Sequence, residues 1–68
     1  MAIENEIRRL RFENGEMTQA ALAEKVGVTR QTIIAIEQNK YAPSLEAAFK
    51  IANAFNVGIE QVFRWRAD

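Results

Sequence analysis

The sequence contains no cysteine and no histidine. Disulfides are therefore excluded, and the commonest nitrogen and sulfur ligands for zinc and copper are missing. A chain without cysteine fits a reducing compartment. Long apolar runs are missing too: nothing approaches the roughly 20 residues that cross a bilayer. The charged start MAIENEIRRLR has no signal-peptide core. Together these absences predict a cytoplasmic location and no membrane partner. Catalysis without His or Cys would rest on carboxylates, Lys, Tyr or Ser. The acids are scattered over helix surfaces with no convergent pair, so neither an enzyme nor a metal or cofactor site is expected. Net charge is also absent, since nine Lys and Arg balance nine Asp and Glu. That balance counts against nucleic-acid binding, because phosphate contacts require cations. Position tempers the sum. Glu4, Glu6, Glu60 and Asp68 sit near the termini, whereas Arg30 and Lys40 flank the third helical segment.

What remains is one domain spanning residues 1–68, with five helical segments and no strand pattern. A chain this short buries only about 60% of its unfolded surface, and oligomerisation is a common remedy. The first segment runs from about Ile3 to Asn14, with Ile3, Ile7 and Leu10 on one stripe. Asn14 and Gly15 end it. Thr18 caps the second segment, with Leu22, Ala23 and Val26 inward, and Gly27 breaks it. Thr29 caps the third, which runs to about Gln38. At 100° per residue, Ile33, Ile36 and Glu37 share one side; Gln31, Ala35 and Gln38 lie opposite, and Ile34 is at the margin. Pro43 keeps the third segment from continuing. Ser44 caps the fourth, with Leu45, Ala48, Ile51, Ala52 and Phe55 inward and Asn56 as a left-handed stop. Val57 and Ile59 open a short fifth helix, and Trp65 in the tail of residues 64–68 finds no place in a five-helix core.

The stretch from Thr18 to about Asn39 thus reads as two short helices joined at Gly27. Leu10-Arg11, Gly15, Thr18-Gln19, Leu22-Ala23, Val26-Gly27-Val28-Thr29, Ile33, Ile36-Glu37, Pro43, Leu45 and Ile59 to Phe63 fall in one register. In that register the chain resembles the phage repressor and Cro-like helix-turn-helix family, also called the XRE family. The resemblance covers roughly Ile3 to Phe63. It departs at Ala21, where Glu is common, at one extra residue between Gly15 and Gln19, and at Gly58, where a Ser or Thr cap is frequent. It implies an all-α, compact five-helix DNA-binding domain whose third helix enters the major groove, usually as a dimer on a palindromic operator.

Arg30 and Gln31 open the third helix, and the leading end of a recognition helix is the part that reaches base edges. Arg can bond two guanine acceptors and Gln can bond adenine in the same bidentate way. The resemblance places base contacts at Arg30, Gln31, Ile34 and Ala35. Ile34 could instead complete the core or meet a partner subunit. Gln19, at the start of the second helix, resembles a phosphate clamp. Thr29, Thr32, Asn39, Lys40 and Tyr41 are further phosphate candidates by resemblance. The resemblance also implies a partly buried ion pair between Arg11 and Glu37 that locks the third helix to the first. Phe63 and Trp65, with Phe12 as a further candidate, exceed what a small core can hide, so a homodimer using the fourth and fifth helices and the tail is expected. The leading function is a sequence-specific transcriptional regulator acting as a repressor on double-stranded DNA. The alternative is a protein-interaction module, such as an antitoxin using its C-terminal apolar surface.

Overall fold

The computed structural model describes residues 2–67; Met1 and Asp68, the last of the terminal acids, lie outside the described residues. Seven elements follow in order: β1 (Ala2–Asn5), α1 (Ile7–Glu13), α2 (Gln19–Val26), α3 (Arg30–Glu37), α4 (Leu45–Ala54), α5 (Ile59–Val62) and β2 (Phe63–Arg66). Five helices are present, but the fold is not purely helical. The two ends of the chain meet in an antiparallel pair, with Ala2 opposite Arg66, Ile3 opposite Trp65, Glu4 opposite Arg64 and Asn5 opposite Phe63.

The pair revises the expected first helix, which starts at Ile7 and not at Ile3. Residues directly opposite in an antiparallel pair share a face. Ile3, Asn5, Phe63 and Trp65 therefore lie on one side of the ladder, and Glu4, Arg64 and Arg66 on the other. That second side is tied by charge. Arg66 donates to Glu4 at 2.7 Å, and Arg64 pairs with Glu6. The Glu6 N–H donates to the Val62 carbonyl at 2.8 Å, extending the ladder to the point where α1 begins. The Asn5 side chain accepts from the Ile7 N–H at 3.2 Å and so satisfies one of the free donors at that helix start.

Three helix starts are built from hydroxyl caps. Thr18, Thr29 and Ser44 have extended backbones, and their side chains accept from the N–H of Ala21, Thr32 and Ala47. Each such cap is worth about 1 kcal/mol. Gly58 starts α5 without a side-chain cap. The turn between α2 and α3 depends on Gly27, whose φ of 83° lies in the left-handed region. Its N–H and that of Val28 both donate to the Ala23 carbonyl, at 2.8 and 3.0 Å. Between α1 and α2 two successive residues are left-handed, Gly15 at 77° and Glu16 at 56°. Asn56, at 58°, is left-handed as its stop role requires.

The core takes one almost fully enclosed side chain from each helix: Ile7, Leu22, Ile33, Ile51 and Val62. Each contributes about 1.5–3 kcal/mol by leaving water. Leu10, Ala23, Val26, Ile36, Ala52 and Phe55 complete the cluster, and Phe63 packs against it. Leu45 departs from the inward position expected for it and is 71% exposed. Its angular position does match the inner face, but it is the first residue of α4. Helical side chains lean towards the N-terminus, so the leucine leans off the end of the helix, beyond the edge of the core.

Candidate nucleic-acid interface

The helix-turn-helix presents α3 with its inner side anchored and its leading end free. Ile33 and Ile36 are buried, whereas Arg30 and Gln31 are exposed. Ile34, on the flank, and Ala35 are half-buried. An open cleft of about 630 Å³ runs along this flank between α1, the start of α2 and α3. Gln19, Arg30 and Ile34 line it together with Arg8, Thr18 and Gln38.

Arg11 and Glu37 also line the cleft. The Arg11 guanidinium donates from Nε to Glu37 Oε2 at 2.7 Å and from Nη2 to Oε1 at 3.2 Å. Its Nη1 donates to the Met17 carbonyl at 2.8 Å. Only 15% of the Arg11 side chain and 10% of that of Glu37 remain exposed, so the pair is largely shielded from solvent and connects α1 to the last turn of α3. Gln19 joins this network, donating from Nε2 to Glu37 Oε1 at 3.1 Å. That bond orients the carboxamide and leaves its oxygen and second N–H available to the cleft. Nothing in the local sequence around Gln19 announces this partner, which lies 18 positions away.

The remaining candidates are distributed less evenly. The Thr29 and Thr32 hydroxyls lie 3.0 Å apart and share a hydrogen bond, leaving one hydroxyl hydrogen of the pair free to donate outward. Lys40 is exposed beyond the C-terminal end of α3. Asn39 and Tyr41 belong to a different place: with Ile3, Asn5, Ile36, Pro43 and Phe63 they line a smaller recess of about 250 Å³ beside the terminal strands. Asn39 is left-handed, with φ 60°, and its side-chain oxygen accepts from Asn5 Nδ2 at 3.0 Å.

Charge pairing resolves the zero sum into regions. Arg9 pairs with Glu6 and Glu13, Arg11 with Glu37, Lys50 with Glu46, Arg64 with Glu6 and Arg66 with Glu4. Hydrogen bonding from Arg9, with the nearby charge of Arg64, holds the Glu6 carboxyl below its ordinary value of 4.5. Among the described residues, Arg8, Lys25, Arg30 and Lys40 have no ion-pair partner, and Arg8 and Arg30 border the same cleft. Arg8 was not among the residues singled out from sequence. The available signal was its spacing: it stands three residues before Arg11, and residues three apart share a helix face.

Among the described residues, no group of three or more His, Cys, Asp or Glu could hold a metal ion, and no helix is long and apolar enough to cross a membrane. The Helix-turn-helix family profile matches residues 7–62, from the first residue of α1 to the last of α5. The chain belongs to the XRE-type helix-turn-helix family. It is 60% identical over 52 residues to an uncharacterized HTH-type transcriptional regulator of Methanocaldococcus jannaschii, covering 76% of this chain and 79% of that one. It is 48% identical over 61 residues to the uncharacterized HTH-type transcriptional regulator YgzD of Bacillus subtilis, covering 90% of this chain and 91% of that one. Its fold is similar to a crystal structure from Bacteroides fragilis, provisionally titled a DNA-binding protein, with a TM-score of 0.77 and 31% identity. That match covers 91% of this chain and 98% of the other. The family match ends at Val62, one residue before β2 begins, and starts after β1, so the terminal ladder lies outside the matched residues.

Proposed function

We propose that this chain is a sequence-specific DNA-binding transcriptional regulator, acting in the cytoplasm as a homodimeric repressor that occupies a palindromic operator and excludes polymerase. The carrying observation is the exposed leading end of α3, where Arg30 and Gln31 face solvent over a base of buried Ile33 and Ile36. In this reading α3 enters the major groove. Arg30 and Gln31 form bidentate bonds to purine edges, and Ile34 and Ala35 supply apolar contact to thymine methyl groups. Gln19, Thr29, Thr32, Asn39, Lys40 and Tyr41 contact the backbone, with Arg8 added from its place in the cleft. Such contacts fix register without reading sequence.

The dimer is assigned to the apolar side of the terminal ladder. Trp65 is 64% exposed and Ile3 40% exposed on that side, beside half-buried Phe63. Operator half-sites one turn of DNA apart would require the two α3 helices of the dimer to stand about 34–36 Å apart. Few unpaired cations face the DNA in this arrangement. Three per protomer give a slope of log affinity against log salt of about −5 for the dimer, half that of strongly basic repressors.

Selection from random DNA at two salt concentrations, repeated with the Arg30→Ala, Gln31→Ala double variant, tests the reading. A palindromic site that the double variant no longer prefers is the expected result. The same site bound with unchanged affinity by the double variant would overturn it. The second reading, a protein-interaction module of the antitoxin kind using the C-terminal apolar surface, is supported by Trp65, which is 64% exposed. It predicts partner capture that survives loss of Arg30 and Gln31.

A further inference from the structure

We propose that Asn5 is a positioning residue for the recognition helix, coupling the terminal strand pair to the angle at which α3 is presented; its consequence for DNA rests on the function proposed above. Asn5 closes β1, and every polar group of its carboxamide is used. Nδ2 donates to the Ile36 carbonyl at 2.9 Å and to Asn39 Oδ1 at 3.0 Å, and Oδ1 accepts from the Ile7 N–H at 3.2 Å. Only a carboxamide of this length can donate twice towards α3 while accepting from α1. Aspartate has no donor, glutamine is one methylene longer, and apolar isosteres offer neither function.

The place where these bonds land gives them their effect. Ile36 and Asn39 bracket the C-terminal end of α3, where the chain turns left-handed and the Lys40 N–H closes back on the Ala35 carbonyl at 2.9 Å. The neighbouring Glu37 is held from α1 by Arg11. Two clamps from two elements thus hold the C-terminal end of an eight-residue helix whose other end bears the exposed Arg30 and Gln31. A rotation at the clamped end is carried along the helix to Arg30 and Gln31. The ladder holds Asn5 in turn, since Asn5 pairs with Phe63 and Phe63 packs on the core. Removing β2 would therefore release α3 as well as the apolar face. Loss of binding after truncation at Phe63 would consequently not isolate dimerisation.

Asn5→Asp separates the two roles of the side chain. It keeps the acceptor for Ile7 and adds a favourable negative charge at a helix start, but it turns a carboxylate towards the Ile36 carbonyl and Asn39 Oδ1. A residue that merely starts α1 would tolerate it; the proposed clamp would not. In the DNA-free protein, Asn5→Asp is expected to accelerate amide exchange at Lys40 by about tenfold or more, the loss of roughly one to two hydrogen bonds, while exchange at Leu22 in α2 tracks global stability. Asn39→Gly, which keeps the left-handed backbone and deletes the acceptor, should give a smaller change in the same direction. Unchanged exchange at Lys40 in Asn5→Asp would overturn the clamp. On the site selected by the wild-type protein, both Asn5→Ala and Asn5→Asp should lower the preference over an unrelated duplex by about tenfold, with nonspecific binding retained. Wild-type preference in Asn5→Asp would overturn the coupling to recognition. Should the Arg30→Ala, Gln31→Ala double variant bind as the wild type does, the DNA reading fails by itself, and the clamp is decided by the exchange measurement alone.

Discussion

Replacing Glu37 by alanine should cost this domain about 3 kcal/mol while leaving the sequence of its selected site unchanged. The substitution strands the Arg11 guanidinium in a site where only 15% of its side chain is exposed. It also removes the acceptor for Gln19. Removing one partner of a buried pair costs about 3–5 kcal/mol. Arg11 keeps its bond to the Met17 carbonyl, which places the loss near the lower end, about 3 kcal/mol. A domain of this size has about 3–10 kcal/mol in total. At about 4–8 °C per kcal/mol, the midpoint should fall by roughly 12–24 °C. Thermal and urea unfolding followed by circular dichroism measure this directly. Replacing both partners with methionine should restore most of the loss, because a well-packed apolar pair avoids the desolvation cost. A loss below about 1 kcal/mol, the ceiling for exposed pairs, would refute the claim that this bridge is shielded. So would a natively stable Glu37→Ala protein with a different selected site, because the residue would then be reading DNA and not bracing the helix.

Three smaller effects follow from backbone and charge. Gly27→Ala meets no atom within 4 Å, so only the left-handed backbone opposes it, and about 1–2 kcal/mol should be lost in a urea melt; an unchanged midpoint would mean that the turn relaxes freely. Glu16→Gly at φ 56° relieves similar strain at a smaller entropic cost and should stabilise by about 0.5 kcal/mol; a destabilised protein would show that the Glu16 side chain has a role of its own. The Glu6 carboxyl is held below its ordinary 4.5 by Arg9 and Arg64. Its contribution is therefore complete above that value and is lost as pH falls through the lower folded value. The stability gap between wild type and Glu6→Gln should be full above pH 4.5 and narrow as pH falls below it; a gap that stays constant on acidification would remove the charge from the explanation.

The parts of the fold legible in the sequence were those with local causes. Thr18, Thr29 and Ser44 could be read as caps because the hydroxyl and the amide it accepts from are three residues apart. The left-handed Gly27 and Asn56 could be read for the same reason. The outward direction of Gln31 followed from helical periodicity around Ile33, and that of Arg30 from its place at the leading end of the helix. The terminal strands were missed because their partners are some 60 residues apart and because Ile3 happens to fall at helical spacing from Ile7 and Leu10. The alternation in Phe63-Arg64-Trp65-Arg66 was the one local mark of a strand, and four residues carry little weight alone. Leu45 misled in another way: its angle on the wheel was inward, but a wheel does not show where the core ends. Asn5 was invisible for the same reason as the ladder that holds it.

The register of that ladder also sets how the domain responds to force. Ala2 lies opposite Arg66, so the two chain ends leave the sheet side by side. Tension between them loads its hydrogen bonds one after another, in the manner of a zipper, instead of shearing them together. The strand pair should peel at low force, and Asn5, at the inner end of the track, would be the last of the paired strand residues to let go before the helices feel the pull.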